Sequence, residues 1–368
     1  MPAPGDNVTS SSGRTSSGRT SINPRLSDGL ATRADAPPPE ALAQQVHAGD
    51  RAALSRAITL VESTRPAHRR DARALLDACH PPAEGSVRTA VTGVPGAGKS
   101  TFLEALGMRL LEENPGRRLA VLAIDPSSTR SKGSILGDKT RMGQLASHER
   151  AFVRPSPTAG TLGGVARRTR ESILLCEAAG YDTVFVETVG VGQAEVEVHA
   201  MTDVFLLLAL AGAGDQLQAV KRGVVEMADL VAVNKADGER TEAAENARAE
   251  YESALRLFPV PETGERPPVL TCSARTGGGL PEVWQAVQAF LEKSRAQGLF
   301  EKKRKRQARR WLRHAVKERL RDAFFEDETV QNALPELARA VEDGTTSAPA
   351  AAEKLLETWQ RGNAAPDR

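Results

Sequence analysis

The chain has 368 residues, 40% of them hydrophobic and 26% charged, enough for a sizeable core and for more than one structural unit. Its 49 lysines and arginines stand against 47 acidic residues, and the resulting formal charge of +2 excludes a whole-protein electrostatic pull toward nucleic acid or membrane. Three well-separated cysteines, Cys79, Cys176 and Cys272, show no CxxC or Cys/His ligand spacing, so neither a disulfide framework nor a zinc site is signalled, and a reducing cytoplasm is expected.

Residues 1–37 are rich in Ser, Arg, Gly, Thr and Pro and contain SSGRT twice, at 11–15 and 16–20. Such a segment cannot bury enough apolar surface to offset its ordering entropy, and it reads as a disordered tail. Its Arg/Ser bias also suits an organellar transit peptide, although Asp6, Asp28 and Asp35 count against that. Over 38–84, Leu42, Val46, Leu54, Ile58, Val61, Leu75 and Leu76 recur at helical spacing, which predicts two or three short helices.

From 85 to 293 strand-like apolar runs alternate with amphipathic stretches, the pattern of an α/β domain with a mostly parallel sheet flanked by helices. Strands are predicted at 87–92, 119–124, 183–187, 204–210, 230–233 and 269–271. The apolar run at 204–211 is too short for the roughly 20 residues that cross a bilayer, so a soluble protein is expected. Residues 294–368 read as a helical arm in which Trp311, Leu312, Ala315, Val316, Leu320 and Phe324 mark one face of a long basic helix. The basic run 302–306, continued by Arg309 and Arg310, reads as a solvated helix face, and a nucleic-acid partner is not expected.

Gly93, Val94, Pro95, Gly96, Ala97, Gly98, Lys99 and Ser100 match GxxxxGK[ST] in full, after a predicted strand and before a helix-like stretch opening at Thr101. Glycines let the backbone turn its N–H groups onto phosphate oxygens, and the helix N-terminus adds a favourable dipole. Lys99 is placed to bridge the terminal phosphates, and Ser100 to offer its hydroxyl to Mg²⁺, a cation that takes hard oxygen ligands. Asp125 and Glu187 end predicted strands, where ligands of open α/β sheets lie, and both are candidate magnesium-linked acids. Gly190 follows Glu187 by three residues and would offer its N–H to a γ-phosphate.

Asn234-Lys235-Ala-Asp237 follows the strand at 230–233. An Asp carboxylate accepts from guanine N1–H and its 2-amino group; adenine lacks both donors, so GTP is favoured over ATP. Ser273-Ala274, after a later strand, stands where GTPases often steady the base. Between switch and base motif, Asp215, Gln218 and Lys221 occupy a loop that is either an ordinary helix start with Asp215 as N-cap or a functional loop.

Together these residues resemble the MeaB/ArgK family of P-loop GTPases, chaperones associated with methylmalonyl-CoA mutase. The resemblance runs from about residue 40 to 330 and is carried most specifically by 124–142, then by 93–101, 187–193, 212–221 and 234–237. It implies that Asp125, Asp138 and Glu187 are magnesium-linked. It also implies that Asp215, Gln218 and Lys221 form a switch loop through which a partner mutase stimulates hydrolysis, with Lys221 stabilising charge on the transferring phosphoryl group. The family further implies a cytoplasmic homodimer built partly through the helical arm, gating B12 loading and protecting a B12-dependent acyl-CoA mutase. Two rivals share the phosphate loop. A nickel-inserting metallochaperone GTPase would need Cys/His ligands, for which only Cys79-His80 are adjacent; a protein kinase of amino-acid transport would need an acceptor other than water, and neither HRD nor DFG occurs.

Overall fold

The computed structural model describes residues 37–63, 65–80, 85–125, 142–157, 162–188, 194–210 and 222–363. Seven parallel strands form one sheet: β1 (Val87–Thr92), β2 (Leu119–Asp125), β3 (Ala151–Pro157), β4 (Thr183–Thr188), β5 (Val204–Leu210), β6 (Leu230–Asn234) and β7 (Val269–Thr271), in the order β3-β2-β4-β1-β5-β6-β7. The central strands read as nearly unbroken apolar runs because helices cover both faces, as a parallel sheet requires.

Three helices open the described chain: α1 (Pro39–His47), α2 (Arg51–Glu62) and α3 (Pro66–Ala78). Leu42, Val46, Leu54, Ile58, Val61 and Leu75 are buried in the core that covers one face of the sheet, together with residues of α6 (Leu162–Ala178). Leu76 lies half-buried against it. The opposite face is covered by α4 (Lys99–Glu113), the short α5 (Gly143–Ser147) and, further along, α10 (Leu280–Ala296). Helices α7 (Ala194–His199), α8 (Arg222–Glu226) and α9 (Thr241–Leu255) complete the wrapping. Cys79, Cys176 and Cys272 are all buried and unpaired.

Strand β3 is not among the strands predicted from the sequence, and it contains Pro155 and Pro157, residues that a central strand would not tolerate. It is the sheet edge, where that objection fails. The N–H of Ala151 goes to His148 O while Arg150 O accepts from Leu119 of β2, so the alternate positions 151, 153, 155 and 157 turn away from β2. Both proline nitrogens therefore face the open edge and break no ladder bond.

The C-terminal part is helical, with α11 (Leu299–Glu326), α12 (Glu328–Glu342) and α13 (Ala348–Asn363). The face predicted for α11 does not pack as one unit. Trp311 is half-buried against the core, with the guanidinium carbons of Arg88 and Arg170 lying 5.2 and 5.0 Å from its ring. Leu312, Val316 and Leu320 are instead exposed. Polar contacts also anchor α11: Arg304 makes two bonds to Asp203, of 2.5 and 2.6 Å, and Gln307 donates to Thr202 O.

Beneath this anchor Arg88 makes a bidentate pair with Glu177, both bonds 2.7 Å, and both residues are buried. Removing one partner would strand the other charge out of water. Glu177→Ala is therefore expected to cost about 3–5 kcal/mol, read as a lower denaturant midpoint with an unchanged m-value. Among the described residues no helix is long and apolar enough to cross a membrane.

Candidate nucleotide site

The site lies at the carboxyl ends of β1, β4 and β6, where an open parallel sheet presents its loops. Residues 93–98 join β1 to α4, and two glycines fix their path. Gly93 has φ +151°, and a Cβ there would stand 2.1 Å from Leu208 O on β5. Gly98 has φ +83° and precedes α4 directly; its Cβ would stand 2.9 Å from Asn234 Nδ2. Side chains at either place would push the loop off the neighbouring strands. The loop's N–H groups and the N-terminus of α4 then favour an anion.

Lys99 is 7% exposed and its ammonium donates to Gly93 O at 2.8 Å and Val94 O at 3.1 Å, spanning the loop it belongs to. Burial lowers its pKa, opposed by the charges of Glu187 and then Glu195. Ser100 Oγ donates to Glu187 Oε1 at 2.8 Å, so the first turn of α4 and the end of β4 meet through two hard oxygens. Thr188 Oγ1 donates to Thr92 Oγ1 at 2.9 Å, a buried bond that ties the ends of β4 and β1 together. Asp125 is the last residue of β2, two strands from the loop, beside the end of β4. Asp138, Gly190, Asp215, Gln218 and Lys221 lie outside the described residues.

The predicted base motif assembles across three segments. Asn234, buried at the end of β6, donates through Nδ2 to Ala97 O at 2.8 Å and accepts through Oδ1 from the N–H of Ala274 at 3.1 Å. One side chain thus fixes the phosphate loop relative to the Ser273-Ala274 turn. Lys235 adopts φ +64°, an unusual backbone for a residue with a side chain, between Asn234 and the segment carrying Asp237. Asp237 Oδ2 accepts from Ser273 Oγ at 3.0 Å and from Arg275 Nε at 2.7 Å. Thr101, Lys235, Asp237, Ser273 and Ala274 line a cavity of about 400 Å³, a volume suited to a small ligand. Arg275 and Glu195 are the residues that sequence reasoning missed. The only signal for Arg275 was its place directly after Ser-Ala, and for Glu195 its place two residues beyond the 187–193 segment.

A phosphate loop after the first strand of a parallel sheet, a hydroxyl–carboxylate pair beside it and an Asn/Asp motif steadied by a Ser-Ala turn define a P-loop nucleotide-binding protein. The model of the family described as methylmalonyl Co-A mutase-associated GTPase MeaB matches residues 54–329. The chain belongs to the MeaB family, whose members are GTPases and bind GTP and GDP. It is 52% identical to a probable GTPase of Mycobacterium tuberculosis, over 86% of this chain and 94% of that one. It is 46% identical to the GTPase ArgK of Escherichia coli, over 86% and 95%, and 43% identical to the mouse protein named methylmalonic aciduria type A homolog, mitochondrial, over 85% and 77%. Among solved structures, one titled LAO/AO transport system kinase superposes with a TM-score of 0.67 at 39% identity, covering 90% of this chain and 99% of that one.

Proposed function

We propose that this chain is a magnesium-dependent GTPase that serves as chaperone to a B12-dependent acyl-CoA mutase, methylmalonyl-CoA mutase or a relative, gating cofactor loading through GTP hydrolysis. The base site carries the nucleotide assignment: Asp237 is held by Ser273 and Arg275 and lines a cavity that Gly98, the last residue of the phosphate loop before α4, also lines. The mutase assignment rests on the family the chain belongs to.

Magnesium suits the residues present. Ser100 Oγ and Glu187 Oε1, 2.8 Å apart beside the phosphate loop, are hard oxygen donors of the kind that cation takes, and Asp125 ends the next strand. When bound, the cation would neutralise charge on the phosphates. Lys99 would move its ammonium from Gly93 O and Val94 O onto phosphate oxygens, and the loop N–H groups would hold the transferring group in line with an attacking water. Asp138 would belong to the first switch and Gly190 to the second.

Stimulation is assigned to Asp215, Gln218 and Lys221, with Lys221 brought to the nucleotide by the mutase. Charges supplied in this way raise turnover by about 10³–10⁵ in other GTPases. Lys221→Ala is expected to keep basal turnover and nucleotide affinity while losing stimulation by the mutase in a phosphate-release assay; full stimulation of the mutant would remove Lys221 from the mechanism.

A homodimer is part of the same reading. Leu312, Val316 and Leu320, four residues apart on α11, present an exposed apolar stripe that a second copy would cover. The cytoplasm, or an organellar matrix if the N-terminal tail is a transit peptide, is the compartment proposed. The nickel reading is disfavoured by Cys79, which is buried and whose thiol burial pushes up to about 11, far from a ready thiolate ligand.

A further inference from the structure

Glu195 is the second residue of α7, the short helix that follows the segment 189–193 after β4. It is 3% exposed, and its Oε2 has no hydrogen-bond partner among the described residues. An orphaned carboxylate oxygen in the interior is costly, and native structures keep one mainly where a ligand, ion or water completes it. Its surroundings indicate which. Helix α7 packs against β4 and β1, the strands that deliver Glu187 and the phosphate loop. The charge of Glu195 also reaches the Lys99 ammonium, second only to that of Glu187.

The ammonium itself does not satisfy this oxygen: Lys99 donates to Gly93 O and Val94 O instead. What the carboxylate lacks is a proton donor, and bare phosphate oxygens are acceptors that would only repel it. A magnesium–nucleotide complex differs in this respect: the cation keeps several waters, and their O–H groups are donors that seek carboxylates.

We propose that Glu195 is a further carboxylate of the magnesium–nucleotide site, a positioning residue that accepts a hydrogen bond through Oε2 from the cation's hydration shell. It would act together with the Ser100–Glu187 pair and couple α7 to the presence of the cation. The assignment rests on the reading of this site as a magnesium–GTP site.

The test uses the full chain and a fluorescent GDP, following the nucleotide dissociation rate as Mg²⁺ is titrated from EDTA to millimolar concentrations. Loss of such an outer partner commonly weakens metal affinity about 10- to 100-fold. Glu195→Gln, which keeps shape and removes charge, is expected to raise the Mg²⁺ midpoint for nucleotide retention by at least about tenfold. GDP release in EDTA should stay at the wild-type rate, and the nucleotide-free melting temperature should not fall. Glu195→Asp, which keeps the charge, should recover part of the midpoint shift. An unchanged midpoint in Glu195→Gln would overturn the assignment. So would slower GDP release at every Mg²⁺ concentration, because the carboxylate would then be acting against the phosphates directly. If the wild-type protein itself retains GDP equally with and without Mg²⁺, it is the magnesium–GTP reading that fails.

Discussion

Lys99→Ala is expected to weaken GTP binding about 100-fold and to cut turnover by a further factor of about 10²–10³. The first figure follows from losing charge-assisted bonds to phosphate oxygens, each worth about 1.5–3 kcal/mol. The second follows because charge on the transferring group grows in the transition state, and removing one preorganised donor there typically costs that much in kcat. The structure adds a reason to expect the full effect. The ammonium is already buried over the loop, held by Gly93 O and Val94 O, so the desolvation that makes it effective is built into the fold before nucleotide arrives. Equilibrium binding of a fluorescent GDP, paired with phosphate release, separates the two losses. A mutant with wild-type affinity and turnover would mean that residues 93–100 are not the phosphate site.

Asp237→Asn is expected to exchange guanine for xanthine. The carboxylate offers two acceptors to guanine N1–H and its 2-amino group. An amide offers one acceptor and one donor, which suits the N1–H and C2 carbonyl of xanthine. Ser273 Oγ and Arg275 Nε both bond Oδ2 of Asp237, which favours the amide oxygen at that position and the NH₂ group at the position of Oδ1. GTP affinity should fall at least about 100-fold, with XTP bound better than GTP. A site built around specific donors and acceptors discriminates by up to about 10⁴–10⁵ when they mismatch. Competition of GTP and XTP for bound fluorescent nucleotide measures the exchange, and unchanged GTP preference would take Asp237 out of base recognition.

The parts of this molecule that were legible in the sequence are those whose signal is local. The apolar runs of β1, β5 and β6 announce strands buried on both faces, and the loop motif between β1 and α4 announces its own geometry because only glycine fits at Gly93 and Gly98. The bond from Asn234 to Ala97 links residues 137 apart in sequence, yet the motif types alone anticipated that both would meet one nucleotide. Less legible were features that depend on position within the sheet or on distant partners. Strand β3 is compatible with Pro155 and Pro157 only because it is an edge, which composition does not reveal. The apolar positions of α11 divide because Trp311 meets Arg88 and Arg170 while Leu312, Val316 and Leu320 extend past the core. Glu195 carries no motif of its own; its burial, with its charge reaching Lys99, emerges only when α7 packs against β1 and β4.

The most direct test is nucleotide turnover by the purified chain, measured with GTP and with ATP, in the presence and absence of methylmalonyl-CoA mutase and related B12-dependent mutases. Slow, magnesium-dependent, GTP-selective turnover that one of these mutases accelerates is the predicted result, and it would identify the client. A preference for ATP would contradict the base site built around Asn234 and Asp237, and GTP turnover indifferent to every such mutase would contradict the chaperone assignment.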